Sequence, residues 1–222
     1  HKEYLYHFFE GTYPYSFARG ELYNYDPVTK DARSCGTTAS LCGIEKGGFE
    51  GDLEQVKQGI QRVLMMHAAC MSMEGFIMLS SGDEIGQVND YTYKNDPEKQ
   101  VDSRYIHRGK FDWKLADGRK RKGTVQKELF DGIGKLRSIR SKEKVFDASA
   151  NVWTLDTWEN GILGVVREME GEQMTALFNF AEESRTAWIE EEGEYMDLYT
   201  GKKVSLQAVK MEGHSFILAK KC

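Results

Sequence analysis

The sequence predicts an α/β segment followed by an all-β domain, and three observations predict it. Before Val145, apolar residues recur at helical spacing through two long stretches. Between those stretches, residues 75–79 (GFIML) form a short unbroken apolar run, the pattern of a strand covered on both faces as in a parallel sheet. Beyond Val145 the helical period gives way to short strand candidates separated by polar turns, which reads as an antiparallel sandwich.

Residues 1–10 read as a short amphipathic helix, with Tyr4, Leu5, Phe8 and Phe9 at helical spacing. The opening HKEYLYHFFEG has no Met, no signal peptide and no capping residue, so the chain is expected to begin inside a helix, as a fragment of a longer protein would. Residues 11–33 read as a loop rich in Gly, Tyr and Pro, with YDPVTKDAR its turn. A further helical turn is expected at 37–45, and KGGFEGD reads as a break. The strongest helix is 53–71, where Leu53, Val56, Ile60, Val63, Leu64 and His67 share a face and Asp52 is placed to cap the N-terminus. Its second half, VLMMHAACM, is apolar all round and predicts burial on more than one side, with His67 a core histidine.

After the 75–79 run, Gly82 to Trp113 spans roughly thirty residues without periodicity, and loops of that length inside compact domains are usually functional. A third helix is expected at 124–141, carrying Val125, Leu129, Ile133, Leu136 and Ile139 on one face. The strand candidates that follow are NVWTLDTW, ILGVVREM, MTALFNF, TAWIEE, YMDLYTG, KVSLQAV and SFILAK. Turns such as Glu159-Asn160-Gly161 and Glu170-Gly171-Glu172 separate them. One buried strand cannot make a parallel sheet, so its partners are expected upstream of residue 1.

A net charge of -5 gives nucleic acid or an anionic membrane no general attraction. The one basic run, Arg119-Lys120-Arg121-Lys122, reads as a solvated loop. No apolar stretch is long enough to cross a bilayer. The cysteines Cys35, Cys42, Cys70 and Cys222 form no C-x-x-C and no zinc spacing, so neither a metal nor another cofactor is expected. Cys42 and Cys70 read as buried thiols, which suits a reducing compartment and a cytoplasmic protein.

Two segments resemble the amylosucrases, transglucosidases of the α-amylase superfamily of glycoside hydrolases. GFIMLSSGDEIGQVNDYTYKNDPEKQVDSRYIHR is similar to their segment after the eighth barrel strand. GTYPYSFARGELYNYDPVTKDARSCGTTASLCGIE is similar to their insertion after the seventh. The resemblance implies a (β/α)₈ barrel with a C-terminal β-sandwich. Residues 1–45 would then be part of the insertion, 46–145 the end of the barrel with 75–79 as its eighth strand, and 146–222 the C-terminal β-domain. The long loop would fall at the C-terminal face of the barrel, where such enzymes build their sites. The chain departs from the family at Ile77 and Ser80, where Pro and Tyr are usual, and at Lys2, where an acceptor-contacting arginine can stand.

Retaining glycoside chemistry needs a nucleophilic carboxylate and an acid/base about 5 Å apart. In the family these lie on strands four and five, with a third acid after strand seven, so the resemblance implies that all three precede His1 and that no catalytic residue lies in this chain. What it implies here is substrate binding: Arg104 in DSR at the glucosyl pocket, Arg33 in DAR at acceptor units, and Lys2 beside them. From the residues alone, Arg104 reads rather as a loop brace and Arg33 rather as a surface ion pair; it is the resemblance that turns Arg104 toward the pocket and leaves Arg33 open between the two. Asp83 and Glu84, between Gly82 and Gly86, together with Asp102, are expected to brace the pocket rather than perform acid–base chemistry. Tyr91 and Tyr93 could offer faces to sugar rings or pack in the core. The expected partners are sucrose, α-glucan oligosaccharides and an upstream part of the same protein, with no nucleic acid and no membrane. The rival readings are a hydrolase of sucrose or short α-glucans on the same scaffold and a non-catalytic carbohydrate-binding module.

Overall fold

In the computed structural model, which describes residues 1–222, the helical spacing at the start of the chain produces α1, Lys2–Glu10. Gly11 ends it at φ 91°, donating to His7 O and Phe8 O, a left-handed stop that glycine adopts without strain. The buried residue of α1 is Tyr6, and its hydroxyl donates to Lys30 O, whereas Tyr4 and Leu5 are exposed. Most of the expected loop at 11–33 contains a hairpin, β1 (Glu21–Asp26) and β2 (Asp31–Cys35). Only its turn was legible, and there Asp26 Oδ1 accepts from Val28 N at 2.8 Å. The strands pair mostly polar residues, Leu22 with Ser34 and Tyr23 with Arg33, so no hydrophobic alternation marked them.

Two short helices follow, α2 (Thr38–Leu41), capped by Thr37, and α3 (Ile44–Glu50). The helix α3 runs through KGGFEGD, which is therefore not a break until Gly51. A Cβ on Gly47 would lie 2.9 Å from Val56 N, so glycine lets α3 approach the next helix closely. That helix, α4 (Leu53–Ser72), has the expected bounds to within a residue, and Asp52 Oδ1 accepts from Gln55 N at 3.0 Å.

Two expectations fail just beyond. Residues 75–79 run through no strand, and Phe76 and Met78 are almost wholly exposed. A short apolar run is competent to be a strand, but a strand exists only with a ladder partner, and none pairs with it. Cys70 is exposed and Cys42 only half-buried, rather than both buried. Cys70 stands four residues after exposed Met66, on the same face of α4. Burial still pushes the Cys42 thiol up to about 12.

The long segment from Gly82 has no strand. It folds as three 3₁₀ turns, Asp83–Ile85, Tyr91–Asn95 and Ser103–His107, followed by α5 (Trp113–Ala116). Aspartates start most of these: Asp90 accepts from Thr92 N, Asp102 from Arg104 N, and Asp112 from Lys114 N and Leu115 N. The helix α6 (Val125–Lys142) then buries Leu129, Ile133 and Leu136, three of the residues its spacing predicts.

After α6 come β3 (Asn151–Leu155), β4 (Ile162–Met169), β5 (Glu172–Asn179), β6 (Arg185–Ala187), β7 (Tyr195–Asp197), β8 (Lys203–Val204), β9 (Val209–Met211) and β10 (Phe216–Lys221). All are antiparallel, in a six-stranded sheet of order β3-β4-β5-β10-β7-β8 and a separate β6-β9 ladder. No helix interrupts residues 152–220. Glu170 and Gly171, at φ 51° and 82°, make the tight turn between β4 and β5.

The alternation along the sheet decides its layers. Met174, Ala176 and Phe178 of β5 share a core with Met65, Ala68 and Met71 of α4, Ile133 and Leu136 of α6, and Phe146. Leu177 and Ala219 point the other way, into a core with Ala187, Val209 and Met211 of the β6-β9 ladder. Both faces of the central strands are covered, which is why ILGVVREM and MTALFNF are nearly continuous in apolar residues. The β-ladder supplies one cover, as in a sandwich, and helices supply the other.

The chain divides into two units, His1–Val63 with Leu79–Phe130, and Leu64–Met78 with Asp131–Cys222. No helix is long and apolar enough to cross a membrane.

Candidate functional site

The candidate site residues of the sequence fall in the first unit, and the β1–β2 hairpin gathers five of them, Lys2, Arg33, Tyr93, Asp102 and Arg104. Tyr93, Ile106 and Cys35 form a small buried cluster against which Tyr23 and Tyr105 pack. The hairpin is tied to it by hydrogen bonds from Tyr93 Oη to Glu21 and from Ser103 Oγ to Leu22 O at 2.8 Å. Tyr93 is thus a core residue; burial and the Glu21 carboxylate raise its phenol pKa.

On this base Arg104 grips Asp102 in a fork, Nε at 2.9 and 3.1 Å and Nη2 at 2.7 Å. The same carboxylate caps the 3₁₀ turn through Arg104 N, so one aspartate fixes both the backbone and the side chain of Arg104. The fork holds the Asp102 carboxyl down to about 2. The guanidinium lies 4.4 Å from the ring centre of Tyr23. Tyr23 is the cross-strand partner of Arg33, and such partners share a face of the ladder. Tyr23 therefore neighbours Arg33 across the ladder and carries Arg104 over its ring. Arg33 is exposed, and so is Lys2, which pairs with Asp31 at 2.6 Å two residues before it.

Asp83 and Glu84 belong to a second feature. A cavity of about 50 Å³ is lined by Gly36, Thr37, Thr38, Ser80, Ser81, Gly82, Asp83, Gln87 and His107. Asp83 is buried, and Glu84 Oε2 accepts from Gly82 N at 3.0 Å across the turn. Gly82 and Gly86 both have positive φ, and a Cβ on Gly86 would meet Leu129 at 2.8 Å. His107, three residues after Arg104 on the same turn, has a buried Nδ1 without a protein partner. Burial, then Arg108, lowers its pKa and favours the neutral imidazole. The lining thus sets four hydroxyl residues, Thr37, Thr38, Ser80 and Ser81, beside Asp83 and His107.

Asn89 went unread in the sequence and ties these parts together. Its Oδ1 accepts from Thr37 N at 2.8 Å, its Nδ2 donates to Arg19 O at 2.8 Å, and its N–H donates to Ser40 Oγ at 2.9 Å. Ser40 Oγ and Tyr91 Oη in turn donate to Glu45. Burial raises the Tyr91 phenol to about 12. Nothing in the VND tripeptide announces this role, because Arg19, Thr37 and Ser40 are all distant in sequence. No three His, Cys, Asp or Glu side chains are arranged to hold a metal ion.

No family profile matches the sequence. In fold the chain is similar to a maltogenic amylase from S. marinus, with a TM-score of 0.50 and 17% identity over 72% of this chain and 19% of that one. It is similar to an α-amylase from Anoxybacillus, with a TM-score of 0.53 and 18% identity over 76% of this chain and 34% of that one. It is also similar to a trehalose-6-phosphate hydrolase from Bacillus licheniformis, with a TM-score of 0.52 and 13% identity over 72% and 38%. The likeness is one of fold, to part of each of these three enzymes. The chain spans between 19% and 38% of the length of these solved structures.

Proposed function

We propose that the chain is part of an amylosucrase-like retaining transglucosidase, which forms a glucosyl intermediate from sucrose and passes glucose to an α-glucan acceptor. The observation that carries this reading is the convergence of Arg33 and Arg104 on Tyr23, since the two arginines come from the two segments that resemble that family. On this reading residues 1–45 are part of the insertion after barrel strand seven, 46–145 end the barrel, and 146–222 are its C-terminal β-domain.

The chain's own groups bind and orient. Asp102 holds the Arg104 fork rigid, so its remaining N–H groups meet a sugar hydroxyl without first losing side-chain freedom. Exposed Arg33 and Lys2 serve acceptor units nearer solvent. Asp83 and Glu84 shape the turn below. The nucleophile and the acid/base, about 5 Å apart in such enzymes, come from outside these residues, so the 222-residue chain alone releases neither glucose nor fructose from sucrose.

A second reading, hydrolysis on the same scaffold, is favoured by the fold relatives, two of which are amylases and one a hydrolase. Product analysis on the full-length enzyme separates the two. Longer glucans and turanose from sucrose mean transfer. Free glucose as the main product means water takes the glucosyl group and sinks the transfer reading. Arg104→Lys in that enzyme is expected to lower kcat/KM on sucrose by about tenfold, because the charge stays and the fork is lost. Arg33→Lys is expected to shift product length more than turnover, and a twofold or smaller effect of Arg104→Lys would remove Arg104 from the pocket.

A further inference from the structure

We infer that Asn160-Gly161, in the connection between β3 and β4, is a self-modification site, where asparagine converts to aspartate and isoaspartate with release of ammonia. The six asparagines of the chain are not equivalent. Asn160 alone precedes glycine; Asn24, Asn89, Asn95, Asn151 and Asn179 precede Tyr, Asp, Asp, Val and Phe. Asn160 is also exposed, and its carboxamide has no partner in the protein. Others are tied down. Asn89 and Asn179 are buried, and their Nδ2 groups donate to Arg19 O at 2.8 Å and to Glu183 O at 2.9 Å. Asn151 Nδ2 donates to the Glu168 carboxylate at 2.9 Å.

The reaction needs the main-chain nitrogen of the next residue to reach the asparagine's side-chain carbonyl carbon. A Cβ on that next residue crowds the approach, and glycine has none. The proton that must leave already has an acceptor: Gly161 N donates to Glu159 Oε1 at 3.2 Å. Arg185, 3.2 Å from the same oxygen, holds that carboxylate in place. As Glu159 takes the proton, Gly161 N bonds to Asn160 Cγ. The Cγ–Nδ2 bond then breaks, and the proton departs on ammonia. The product is a succinimide ring. Water opens it at either of its carbonyl carbons, one giving aspartate and the other isoaspartate. Nothing is oxidised or reduced, and water is the only co-reactant.

The place of the turn in the fold gives the modification a consequence. Isoaspartate lengthens the main chain by one methylene and adds a negative charge beside Glu159. The turn is closed by bonds that fix its length. Ile162 N donates to Glu159 O at 3.0 Å, Phe180 N to Gly161 O at 2.9 Å, and Thr157 Oγ1 to Ile162 O at 2.8 Å. The strand β3 lies at the edge of its sheet with β4 as its one ladder partner, and the register from Asn151 with Glu168 to Leu155 with Gly164 is set by this connection. Conversion therefore loosens β3, whereas β5 and β10 are paired on both sides and keep their ladders. The turn is a timer that loosens one sheet edge as the molecule ages, and it rests on nothing in the activity proposed above.

The test is incubation of the 222-residue chain over days at mildly alkaline pH, followed by intact mass, peptide mapping and enzymatic methylation of isoaspartate. A gain of about 1 Da is expected at residue 160, at least about tenfold faster than at Asn89 or Asn179, whose carboxamides must first break their bonds. Asn160→Gln is expected to show no gain there, and Gly161→Ala to slow it about tenfold. Gly161→Ala should melt as the wild type does, because Gly161 has no positive φ and an added Cβ would meet Ala181 Cβ at 3.5 Å, an ordinary contact. Glu159→Gln is expected to slow conversion about threefold, through loss of the proton acceptor. In the aged chain, amide exchange should quicken along β3 and not along β5. No mass gain, or a Gly161→Ala variant that converts as fast as wild type, overturns the site. So does a native chain that converts more than about tenfold slower than the same chain in urea, since the turn would then protect Asn160. An unchanged rate in Glu159→Gln removes the carboxylate from the step, and unchanged exchange along β3 refutes the timer.

Discussion

The two units hold themselves together by different means. The second is a sheet with two dry faces: Met174, Ala176 and Phe178 on one, Leu177 and Ala219 on the other, all buried. Even its buried cation is served by main chain. Arg167, on the helix-covered face of β4, donates to Val145 O at 2.6 Å, Ser72 O at 3.1 Å and Asp147 O at 3.1 Å, and burial lowers its pKa. The first unit has a smaller core and is laced by side-chain hydrogen bonds: aspartate caps, the Asn89 contacts and the Arg104–Asp102 fork. Apolar burial is non-directional and makes a stable platform, whereas directed polar bonds place individual groups. The residues proposed to meet substrate lie in the unit built by the second device.

Core truncation should expose that contrast most strongly. Phe178→Ala is expected to cost about 3–5 kcal/mol, a fall in melting temperature of about 10 °C, because the ring leaves a cavity between sheet and helices. A loss below about 1 kcal/mol by denaturant titration would show that the sheet face is not tightly packed. Arg167→Met should come next, at about 2–3 kcal/mol, since buried carbonyls lose their donors even as a buried charge is removed. Near-neutral behaviour would mean that the carbonyls find other partners. Asn89→Ala is expected to cost about 2 kcal/mol and to act locally. Amide exchange should quicken around Thr37 and Asn89 while β4 and β5 keep their protection; uniform loss across both units would refute the division of labour.

The smallest effects are those of pH. The Asp102 carboxyl is held down to about 2 by Arg104, below its value in an unfolded chain. Its contribution is therefore present above about pH 4 and lost as the pH falls from there toward 2. His107 is also depressed, by burial, so it favours the fold above about pH 6.5 and less as the pH falls below that. Asp102→Asn should flatten the acid limb of the stability curve of the first unit by lowering stability above about pH 4, leaving stability near pH 2 almost unchanged. An unaltered acid limb would show that the fork survives protonation.

The part of the site that could be read from sequence was the part carried by short segments. DSR and GDEIG locate Arg104, Asp102, Asp83 and Glu84, and the structure shows how local bonds such as Arg104 N to Asp102 follow from the spacing. The hairpin that brings Tyr23 beside both Arg33 and Arg104 was not legible, because ELYNYD and DARSC carry no alternating apolar face. His107 and Asn89 were not legible either, since what distinguishes them is an environment made by distant residues.

By itself the sequence determined whatever depends on neighbours along the chain. The helical period gives α4 and α6, aspartates start the turns, and Glu170-Gly171 turns β4 into β5. It also determined that the strands after Val145 are antiparallel and short. Tertiary structure decided what depends on partners. The apolar run at 75–79 is no strand, because ladder hydrogen bonds come from another segment and none is there. Cys70 is exposed although its neighbours are apolar, because burial is settled by what packs on a helix face and not by the residues in it. Trp158 stands in a left-handed turn that no propensity predicts, held by bonds to Asp156 and from Trp188 to the residue beside it. Local patterns set the conformations a chain can afford; only contacts between distant segments choose which of them are occupied.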